Sequence, residues 1–580
     1  MLELLVFFFT SISLVLFLLT KLQPATMSNP ELVLEKSSIE EIYPLASADE
    51  LKLQHARYAN FINHFRELYN EEPTVAVRGP GRVNLIGEHI DYSNFSVLPM
   101  AVDRDMIMAV SFGDAAASSD SETISVRLAN VSESEFPSRT YTLPKDPKKF
   151  VEIDPKVSDW GNYFKCGVVV AQEFLINNRE EYNIAEISAM RPMNVLVTGN
   201  VPTGSGLSSS AAFVVCATLS VLLGYGFKPT RKLLTQLSIK CEQHVGVNSG
   251  GMDQAASIYG VVDHALFVTF KPTLTATPFS FSSKVPADSK EEPFSFVIAN
   301  SLVVSNKHET APTNYNLRVV EVTLAALLLA KHLANKAGKT FADPADLLPA
   351  DGNLQAGTLR NVLELVYPDQ TFGTDADKDF VNSIEQLKTL ETLAETVLGE
   401  SEDTPEGHTT ETVAKLLGIS PEELVKRYMT TYPVRYNYLA LRKRAVHVYS
   451  EAARVFEFLN ALNRPTASSS LTETLGDIIN RSHASAVSLF ENSHPTVDRL
   501  CAIACANGAA GARITGAGWG GATVQLVSAS KAAGLVAALK EDYYRKEFPG
   551  VSDAVIEDSL ILSKPGNGTT ILIDDFFSRV

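Results

Sequence analysis

The chain has 580 residues, of which 45% are hydrophobic and 20% charged, and this composition indicates a folded protein with room for more than one domain. Its formal net charge of −17 argues against a surface for nucleic acid or for an acidic membrane, so a nucleotide would need a local basic or metal site. The five cysteines are scattered without paired spacing, which excludes a disulfide framework or zinc site and favours a reducing compartment.

The first 26 residues precede a second methionine, Met27, and contain a nearly unbroken apolar run over residues 4–20. The run is near the lower limit for a membrane-spanning helix, and it lacks both the basic start and the cleavage site of a secretory signal. We interpret it as the result of a start codon placed too far upstream, with a membrane anchor as the alternative. A chain that begins at Met27 is predicted to be cytoplasmic.

Residues 47–69 carry apolar side chains at helical spacing behind a capping signal and predict an amphipathic helix. The next stretch, TVAVRGPGRVNLIGEHIDYSNFSVLPMAVDRDMIMAVSF, alternates strand-like runs with Gly and Pro turns. Its middle contains a cluster of charged and polar residues: Arg82, Glu88, His89 and Asp91. These types in a turn-rich segment indicate a site for a polar ligand, although in isolation a solvated loop with a local ion pair is the better explanation.

Residues 199–212, GNVPTGSGLSSSAA, predict a phosphate-binding loop that leads from a strand into a helix. Glycines let the backbone approach a polyphosphate, the unpaired N–H groups of the first helical turn point at it, and serine hydroxyls add donors. The residues concerned are Gly204, Ser205, Gly206, Ser208, Ser209 and Ser210. The loop is not a Walker motif, because no Lys follows its last Gly. A Ser-rich turn before a capped helix is the alternative.

Two carboxylates follow this loop in the sequence. Glu242 ends a helical pattern, and Asp253 lies in a Gly-flanked turn after Gly250. Carboxylates this near a phosphate loop suit one metal ligand and one base. The alternative for Asp253 is a cap on a helix that starts at Gln254. Upstream, residues 159–175 predict a helix that includes Trp160, which a hydrophobic core would explain as well.

The second half of the chain begins with a predicted strand over residues 294–304, followed by a loop and a long helix. Residues 337–431 are rich in Asp, Glu, Gly and Pro with short helices, and no chemistry is assigned to them. In GARITGAGWGGATVQLV, the residues Gly516, Gly518 and Gly521 match G-x-G-x-x-G. A dinucleotide fingerprint must open a helix, yet a strand pattern follows here, so that interpretation is rejected.

Three of these segments, in this order, resemble the motifs of the galactokinases within the GHMP small-molecule kinases. PGRVNLIGEHIDY is similar to the galactokinase signature, GNVPTGSGLSSSAA to the phosphate-binding motif, and GARITGAGWGGATVQLV to a third motif. The resemblance runs from about residue 51 to the C-terminus and is strongest to fungal members. It implies an α+β protein with two lobes, an N-terminal domain over residues 27–290 and a C-terminal domain over 291–580 with a fungal-type insertion at about 337–431. The active site would lie in the cleft between them.

The resemblance further implies ATP-dependent phosphorylation of D-galactose at its anomeric hydroxyl, which gives galactose 1-phosphate in the Leloir pathway. ATP would be the co-substrate and Mg²⁺ the metal, with Asp253 and Arg82 as catalytic residues. The implied galactose-binding residues are Arg82, Glu88, His89, Asp91, Gly250, Asp253 and Tyr315. The implied ATP-binding residues are Trp160, Gly204, Ser205, Gly206, Ser208, Ser209, Ser210, Ser305 and Asn306. The implied metal ligands are Ser210 and Glu242.

Two other functions are weighed against this one. Ile90 replaces a usual Thr and is a residue that N-acetylgalactosamine kinases can carry. A sugar and ATP sensor derived from a galactokinase is the second alternative, but such sensors can lack part of the SSSAA run, which is intact here. We expect a monomer with small-molecule partners and with neither nucleic acid nor membrane as a partner. Whether a transcriptional regulator binds is left open.

Overall fold

The computed structural model describes most of the chain, and the predictions for residues 1–26, Ser305 and Asn306 lie outside the described part. The described residues are 31–114, 122–144, 146, 149, 151–153, 159–178, 180–182, 190–244, 250–281, 292–304, 310–341, 343–352, 354–368, 370, 372–373, 380–399, 406–431, 433–463 and 470–579. Among them, no helix combines the length and the apolar composition that crossing a lipid bilayer requires.

The strands are β1 (Leu34–Lys36), β2 (Val75–Asn84), β3 (Pro99–Phe112), β4 (Thr123–Asn130), β5 (Arg139–Pro144), β6 (Met193–Gly199), β7 (His264–Thr269), β8 (Thr275–Ser280), β9 (Phe294–Asn300), β10 (Gly511–Thr515), β11 (Ala522–Ser528), β12 (Leu560–Ser563) and β13 (Thr570–Leu572). They form a seven-stranded sheet in the order β1-β13-β2-β3-β6-β4-β5, a four-stranded sheet in the order β10-β11-β9-β12, and the hairpin β7-β8. Within the large sheet β1 pairs with β13 and β4 with β6 in parallel, and the other pairs are antiparallel.

The helices are α1 (Ile39–Ile42), α2 (Ala48–Tyr69), α3 (Gly161–Asn177), α4 (Ser209–Gly224), α5 (Arg231–His244), α6 (Met252–Tyr259), α7 (Tyr315–Lys336), α8 (Leu359–Val366), α9 (Val381–Val397), α10 (Thr410–Leu417), α11 (Pro421–Tyr428), α12 (Leu441–Asn463), α13 (Leu471–Ser485), α14 (Pro495–Ala506), α15 (Ala532–Leu539), α16 (Arg545–Glu547), α17 (Asp553–Ser559) and α18 (Asp574–Phe577).

The large sheet is buried on both faces, as the alternation of side chains along β3 shows. Met106 and Met108 pack with α3, α4 and α5 on one face, while Ile107 and Ala109 pack with α2 on the other. Because successive side chains of a strand point to opposite faces, an uninterrupted apolar run is required for a sheet covered on both sides. Helix α2 begins behind Ser47 with a capping box that includes Glu50, which confirms the predicted helix start.

The four-stranded sheet forms the second lobe and is likewise covered on both faces. Phe296 and Ile298 of β9 belong to the core that includes α7, α12 and α13, while Val297 and Ala299 pack against α14 and α15. Helices α8 to α11, which lie in the segment predicted as an insertion, join the first of these cores. The strand β11 directly follows the glycines of the third motif, which confirms the strand predicted there; a dinucleotide fingerprint would open a helix.

The chain crosses between the lobes more than once. Strand β13 lies within the predicted C-terminal domain, yet it pairs with β2 and β1 in the sheet of the predicted N-terminal domain. The last strand therefore connects the end of the chain to the lobe that contains the first two of the three motifs.

Candidate active site

The turn after β2 brings the polar residues of the first motif into a small buried cavity. Three of these residues, Glu88, His89 and Asp91, are nearly inaccessible to solvent. The backbone of His89 has a φ of 60°, a left-handed conformation that aims its side chain out of the turn. The cavity is lined by Arg82, Glu88, His89, Asp91, Glu242, Met252, Asp253, Tyr315, Gly516 and Ala517. The predicted sugar residues thus come together around one cavity, with Gly250 behind its wall.

Arg82 and Asp253 form an ion pair at the inner end of this cavity. Nε and a second guanidinium nitrogen of Arg82 each lie 2.7 Å from Oδ1 of Asp253, and the side chains are 2% and 12% exposed. The remaining guanidinium nitrogen donates to the carbonyl of Gly206 at 2.6 Å. Arg82 therefore links the Asp253 carboxylate in this cavity to the loop that contains Gly206.

The start of α6 excludes one alternative for Asp253. The helix begins at Met252, and its N-cap residue is Gly251 without a side-chain cap bond. Asp253 lies inside the first turn, so the interpretation of Asp253 as the cap of a helix starting at Gln254 is wrong. Glycine at position 251 has a φ of 102°, which turns the chain tightly and leaves the Asp253 side chain available to Arg82.

Glu88 is held by a residue that the sequence analysis did not identify. An Nη of Arg513, a fully buried side chain on β10, donates to Oε2 of Glu88 at 2.8 Å, and the N–H of Gly516 adds a hydrogen bond. Burial raises the pKa of Glu88 to about 7, although Arg513 and Arg82 act in the opposite direction. The sequence did contain a signal for this contact: Arg513 is a single arginine within an apolar strand pattern. A cation buried in a strand needs a buried acidic partner, so an acidic residue elsewhere in the chain could have been sought.

The carboxylate of Asp91 packs closely against the backbone at the start of α6. Its Oδ2 accepts from the N–H of Met252 at 3.4 Å, and burial together with the charge of Asp253 raises the pKa of Asp91 to about 6. A Cβ on Gly250 would lie 2.5 Å from that same oxygen and 2.5 Å from the backbone of Tyr92. Position 250 must therefore be glycine for this carboxylate to face the cavity. Gly250 shapes the site by its lack of a side chain.

The ring of His89 is fixed by hydrogen bonds to protein groups at both nitrogens. Nε2 lies 2.8 Å from the carbonyl of Ala517, which can only accept, so Nε2 carries the hydrogen. Nδ1 lies 2.9 Å from the hydroxyl of Tyr92. The ring of Tyr315 lies 5.2 Å from that of His89 and 5.7 Å from that of Tyr92, between centroids. Tyr315 and His89 thus form an aromatic wall of the cavity.

The phosphate loop lines a second, larger and open cavity. Helix α4 begins at Ser209 behind Ser208, whose φ is 59°, so its first N–H groups face the loop. The third motif packs directly on this loop, because a Cβ on Gly516 would lie 2.4 Å from the carbonyl of Gly206. Residues of the loop that line the cavity are Gly204, Ser205, Gly206, Ser208, Ser209 and Ser210. Ala517 lines both cavities, which therefore meet at the third motif.

The far end of the larger cavity is aromatic. The ring of Trp160 makes edge contacts with Phe136 and Phe213 at centroid distances of 5.9 and 6.1 Å, and its Nε1 donates to the carbonyl of Pro137 at 3.0 Å. All three rings line the cavity. Flat apolar side chains beside a loop rich in N–H donors provide the two surfaces that a nucleotide needs, one for a base and one for phosphates.

Ser210 and Glu242 are in contact where the two cavities approach each other. The Oγ of Ser210 donates to Oε1 of Glu242 at 3.1 Å; Ser210 lines the larger cavity and Glu242 the smaller one. In the described part of the chain, no cluster of three or more His, Cys, Asp or Glu side chains could hold a metal ion alone. Mg²⁺ commonly takes one or two protein ligands and completes its shell with phosphates and water, so the pair fits such an ion.

Family comparisons match the three motifs in the same order. The galactokinase galactose-binding signature matches residues 63–112, the GHMP kinases N terminal domain residues 162–261, and the GHMP kinases C terminal model residues 467–545. A galactokinase of Saccharomyces cerevisiae is 41% identical over 527 residues, which are 88% of this chain and 94% of the relative. A galactokinase of Schizosaccharomyces pombe is 40% identical over 526 residues, 89% of this chain and 95% of the relative.

Among solved structures, the galactokinase of Lactococcus lactis complexed with galactose superposes with a TM-score of 0.57 at 20% identity, over 88% of this chain and 99% of that one. At 20% identity the superposition shows a shared fold and nothing further. Together with the two GHMP domain matches it confirms the predicted α+β class with two lobes.

Proposed function

This chain belongs to the galactokinase family of the GHMP kinases, and on that basis we propose that it transfers the γ-phosphoryl group of ATP to the anomeric hydroxyl of D-galactose, giving galactose 1-phosphate and ADP. The observation that carries the proposal is the Arg82 guanidinium, which joins Asp253 in the sugar cavity to Gly206 of the phosphate loop. A carboxylate in the small cavity that shares one cation with the phosphate loop supports a transfer from a donor on the loop to an acceptor in the cavity.

In the proposed reaction Asp253 orients the anomeric hydroxyl and takes up its proton. The bond from the sugar oxygen to the γ-phosphorus forms as the bond from that phosphorus to the β,γ-bridging oxygen breaks, and ADP leaves. Arg82 lies within hydrogen-bond distance of both the base and the loop carbonyl, so its charge faces the transferring group. Glu88 and Asp91 supply buried carboxylate oxygens that accept hydrogen bonds from sugar hydroxyls.

On the nucleotide side, the proposal assigns the adenine to the rings around Trp160 and the phosphates to the loop of Gly204, Gly206 and the serines. Ser210 and Glu242 would hold Mg²⁺, which neutralises charge on the phosphate oxygens. The parts of this assignment that involve Ser305 and Asn306 stay predictions. We further propose a cytosolic monomer.

The direct test of the function is an assay of ADP release on the chain that begins at Met27, with galactose, N-acetylgalactosamine and mevalonate as acceptors in parallel. We expect turnover with galactose and a product with the phosphate at the anomeric carbon, identified by ³¹P NMR. Binding of galactose and ATP without ADP release would instead identify a sensor. Turnover with mevalonate alone would contradict the assigned sugar cavity.

Galactose should be preferred to N-acetylgalactosamine. The ring of Tyr315 lies against His89 and Tyr92 in the wall of the small cavity and fills space that an acetamido group would need. Exclusion by filled space is worth about 1–3 kcal/mol, or roughly 10–200-fold in kcat/KM. The Tyr315→Ala variant should have a lower ratio of kcat/KM for galactose to kcat/KM for N-acetylgalactosamine. The Tyr315→Phe variant should keep the wild-type ratio. Equal kcat/KM values in the wild-type enzyme would overturn the prediction, and an unchanged ratio in the Ala variant would assign the preference to other residues.

Galactose affinity should decrease as the pH is lowered from about 8 to about 6. Burial raises the pKa of Glu88 to about 7. Protonation turns one carboxylate oxygen into an O–H donor and removes the negative charge that strengthens the hydrogen bonds from sugar hydroxyls. The ionised fraction of a group with this pKa falls by about tenfold over that interval, so the affinity should fall by a similar factor. Calorimetry at several pH values measures the Kd for galactose and hence this dependence. Glu88→Gln should bind more weakly and lose the dependence near pH 7, retaining the part near pH 6 that Asp91 causes. A wild-type affinity that is flat over this range would contradict the role of Glu88.

Removal of the metal pair should impair the use of Mg-ATP and leave galactose binding nearly intact. Ser210→Ala removes a hydroxyl, and Glu242→Gln removes a charge at nearly constant volume, both beside the phosphate loop. We expect each variant to need more Mg²⁺ for half-maximal activity and to have a lower kcat/KM for ATP, while the calorimetric Kd for galactose stays near the wild-type value. Glu473→Ala, an exposed carboxylate on α13, is the control. An unchanged Mg²⁺ dependence in both variants would contradict the assignment.

A further inference from the structure

A carboxylate from the second lobe binds the backbone of the sugar-recognition turn. Oε1 of Glu451, on α12, accepts hydrogen bonds from the N–H of Gly87 at 2.9 Å and of Glu88 at 3.2 Å. Glu451 is separated from these residues by more than 360 positions and is fully buried. Two consecutive N–H groups that converge on one oxygen form an anion-binding concavity, and here the anion is a side chain of the protein itself.

The remaining contacts of Glu451 keep its carboxylate ionised and fixed. Ser482 on α13 donates its hydroxyl to Oε1 at 2.7 Å, and Nε of Arg454 donates to Oε2 at 2.7 Å. Burial acts to raise the pKa of Glu451, but the charges of Arg454 and Arg513 hold it well below the ordinary range of a glutamate. A carboxylate with four donors around it cannot move without breaking several charge-assisted hydrogen bonds.

The same helix also binds the backbone carbonyl of Glu88. Nε2 of His447, two turns closer to the start of α12 than Arg454, lies 3.1 Å from the carbonyl of Glu88, and Nδ1 lies 2.8 Å from the hydroxyl of Ser485. Burial lowers the pKa of His447 to about 4, so the ring is neutral at neutral pH. Because the carbonyl can only accept, the hydrogen lies on Nε2. Helix α12 thus engages both the N–H and the C=O of Glu88.

These contacts bear on recognition because the Glu88 carboxylate faces the sugar cavity. Arg513 and the Gly516 N–H hold the side chain from the third motif, while Glu451 and His447 hold the backbone from α12. A shift of the backbone by a fraction of an ångström would move the carboxylate relative to Asp91 and Asp253, which approach the cavity from other elements. Side chains that recognise a sugar need support of this kind to keep their geometry.

We propose that Glu451 is a positioning residue for sugar recognition: it binds the backbone N–H groups of Gly87 and Glu88 and thereby sets the position of the Glu88 carboxylate in the cavity. The inference rests on the proposed function in one respect, since it takes galactose as the ligand of Glu88. The competing explanation is that Glu451 only anchors α12 in the core. In that case its loss would affect all properties of the fold together.

The experiment compares Glu451→Gln with Glu457→Gln in the full-length chain. Gln keeps the volume of Glu451 and one acceptor oxygen but removes the charge, while Glu457 lies on the same helix and pairs with Arg481 at 2.8 Å outside both cavities. The measurements are the KM values for galactose and ATP, the calorimetric Kd for galactose, the thermal midpoint, and deuterium uptake of peptides that span residues 85–91. Ser482→Ala removes one donor to Glu451 and serves as a milder second variant.

We expect Glu451→Gln to raise the galactose KM and Kd by about tenfold or more, to leave the ATP KM within about twofold, and to increase deuterium uptake at residues 85–91. Glu457→Gln should match the wild type, and Ser482→Ala should show a smaller rise in the galactose KM alone. Equal increases in both KM values, or an unchanged galactose KM, would overturn the proposal. If Glu451→Gln does not fold, the Ser482→Ala variant takes its place: a rise in the galactose KM alone supports the proposal, and equal rises in both KM values or an unchanged galactose KM overturn it.

The deuterium measurement separates this inference from the proposed function. If the wild-type enzyme does not phosphorylate galactose, the proposed function fails, but the uptake at residues 85–91 still tests the contact. Unchanged uptake in Glu451→Gln would then overturn the inference, and increased uptake confined to that segment would support it.

Discussion

Replacement of Asp253 by Asn should lower kcat by about 10²–10⁴-fold, the usual contribution of a general base, while the Kd for galactose changes little. The carboxamide has the shape of the carboxylate and can still accept a hydrogen bond from Arg82, but it cannot take up the proton of the anomeric hydroxyl. The anomeric hydroxyl would remain bound but would not be activated. Turnover in pre-steady-state assays and galactose binding by calorimetry measure the two quantities separately.

The start of α6 at Met252 makes this experiment easier to interpret. Because Gly251 is the N-cap, Asn at position 253 removes no helix cap. It removes the favourable interaction of a negative charge with the first helical turn, worth about 0.3–1 kcal/mol, and the charge of the buried pair with Arg82. The thermal midpoint, measured beside kcat, separates a loss of stability from a loss of catalysis. Asp346→Asn, at an exposed position outside both cavities, is the matched control and should retain wild-type activity. An Asp253→Asn enzyme with near-normal kcat would remove Asp253 from the mechanism.

Replacement of Arg82 by Lys should lower kcat by about 10²-fold or more although the positive charge is retained. The guanidinium makes two contacts of 2.7 Å with Oδ1 of Asp253 and one of 2.6 Å with the Gly206 carbonyl. A lysine ammonium is a point donor on a flexible stem and cannot span both partners with this geometry. Loss of one preorganised donor at a site of developing charge typically costs about 10²–10³-fold in kcat.

Arg82→Gln, which also removes the charge, should lose more activity than Arg82→Lys, because Asp253 would then be buried without a cation. The difference in kcat between the two variants measures the contribution of charge, and the loss in Arg82→Lys measures that of geometry. Arg481→Lys, on the exposed part of α13, is the control. A Lys variant with kcat near the wild-type value would show that neither the forked geometry nor the link to Gly206 is needed.

The sequence allowed several local features to be predicted, because each depends on residues close together in the chain. The helix start at Ser47 follows from a cap and a carboxylate three positions later, and the strand after Gly521 follows from its apolar pattern. The three motifs predicted that the turn after β2, the loop before α4 and the third Gly-rich turn belong to one site, and the structure brings all three together around the two cavities. The family followed from their order, since no single motif was specific enough.

What the sequence alone determined was therefore the identity of the motifs, the local elements that carry them and, through the resemblance, the family and its two-lobed α+β fold. Only the tertiary structure decided which distant groups meet: Arg82 with Asp253 across 171 residues, Gly87 with Glu451 across 364, and Glu88 with Arg513 across 425. It also decided that β13 returns to the first sheet. The physical reason is that caps, turns and periodicity report interactions within a few residues, whereas these pairs form only when distant elements pack and bury both partners. Arg82 and Asp253 meet within the first lobe and the other two pairs meet between the lobes, and no local pattern encodes either contact.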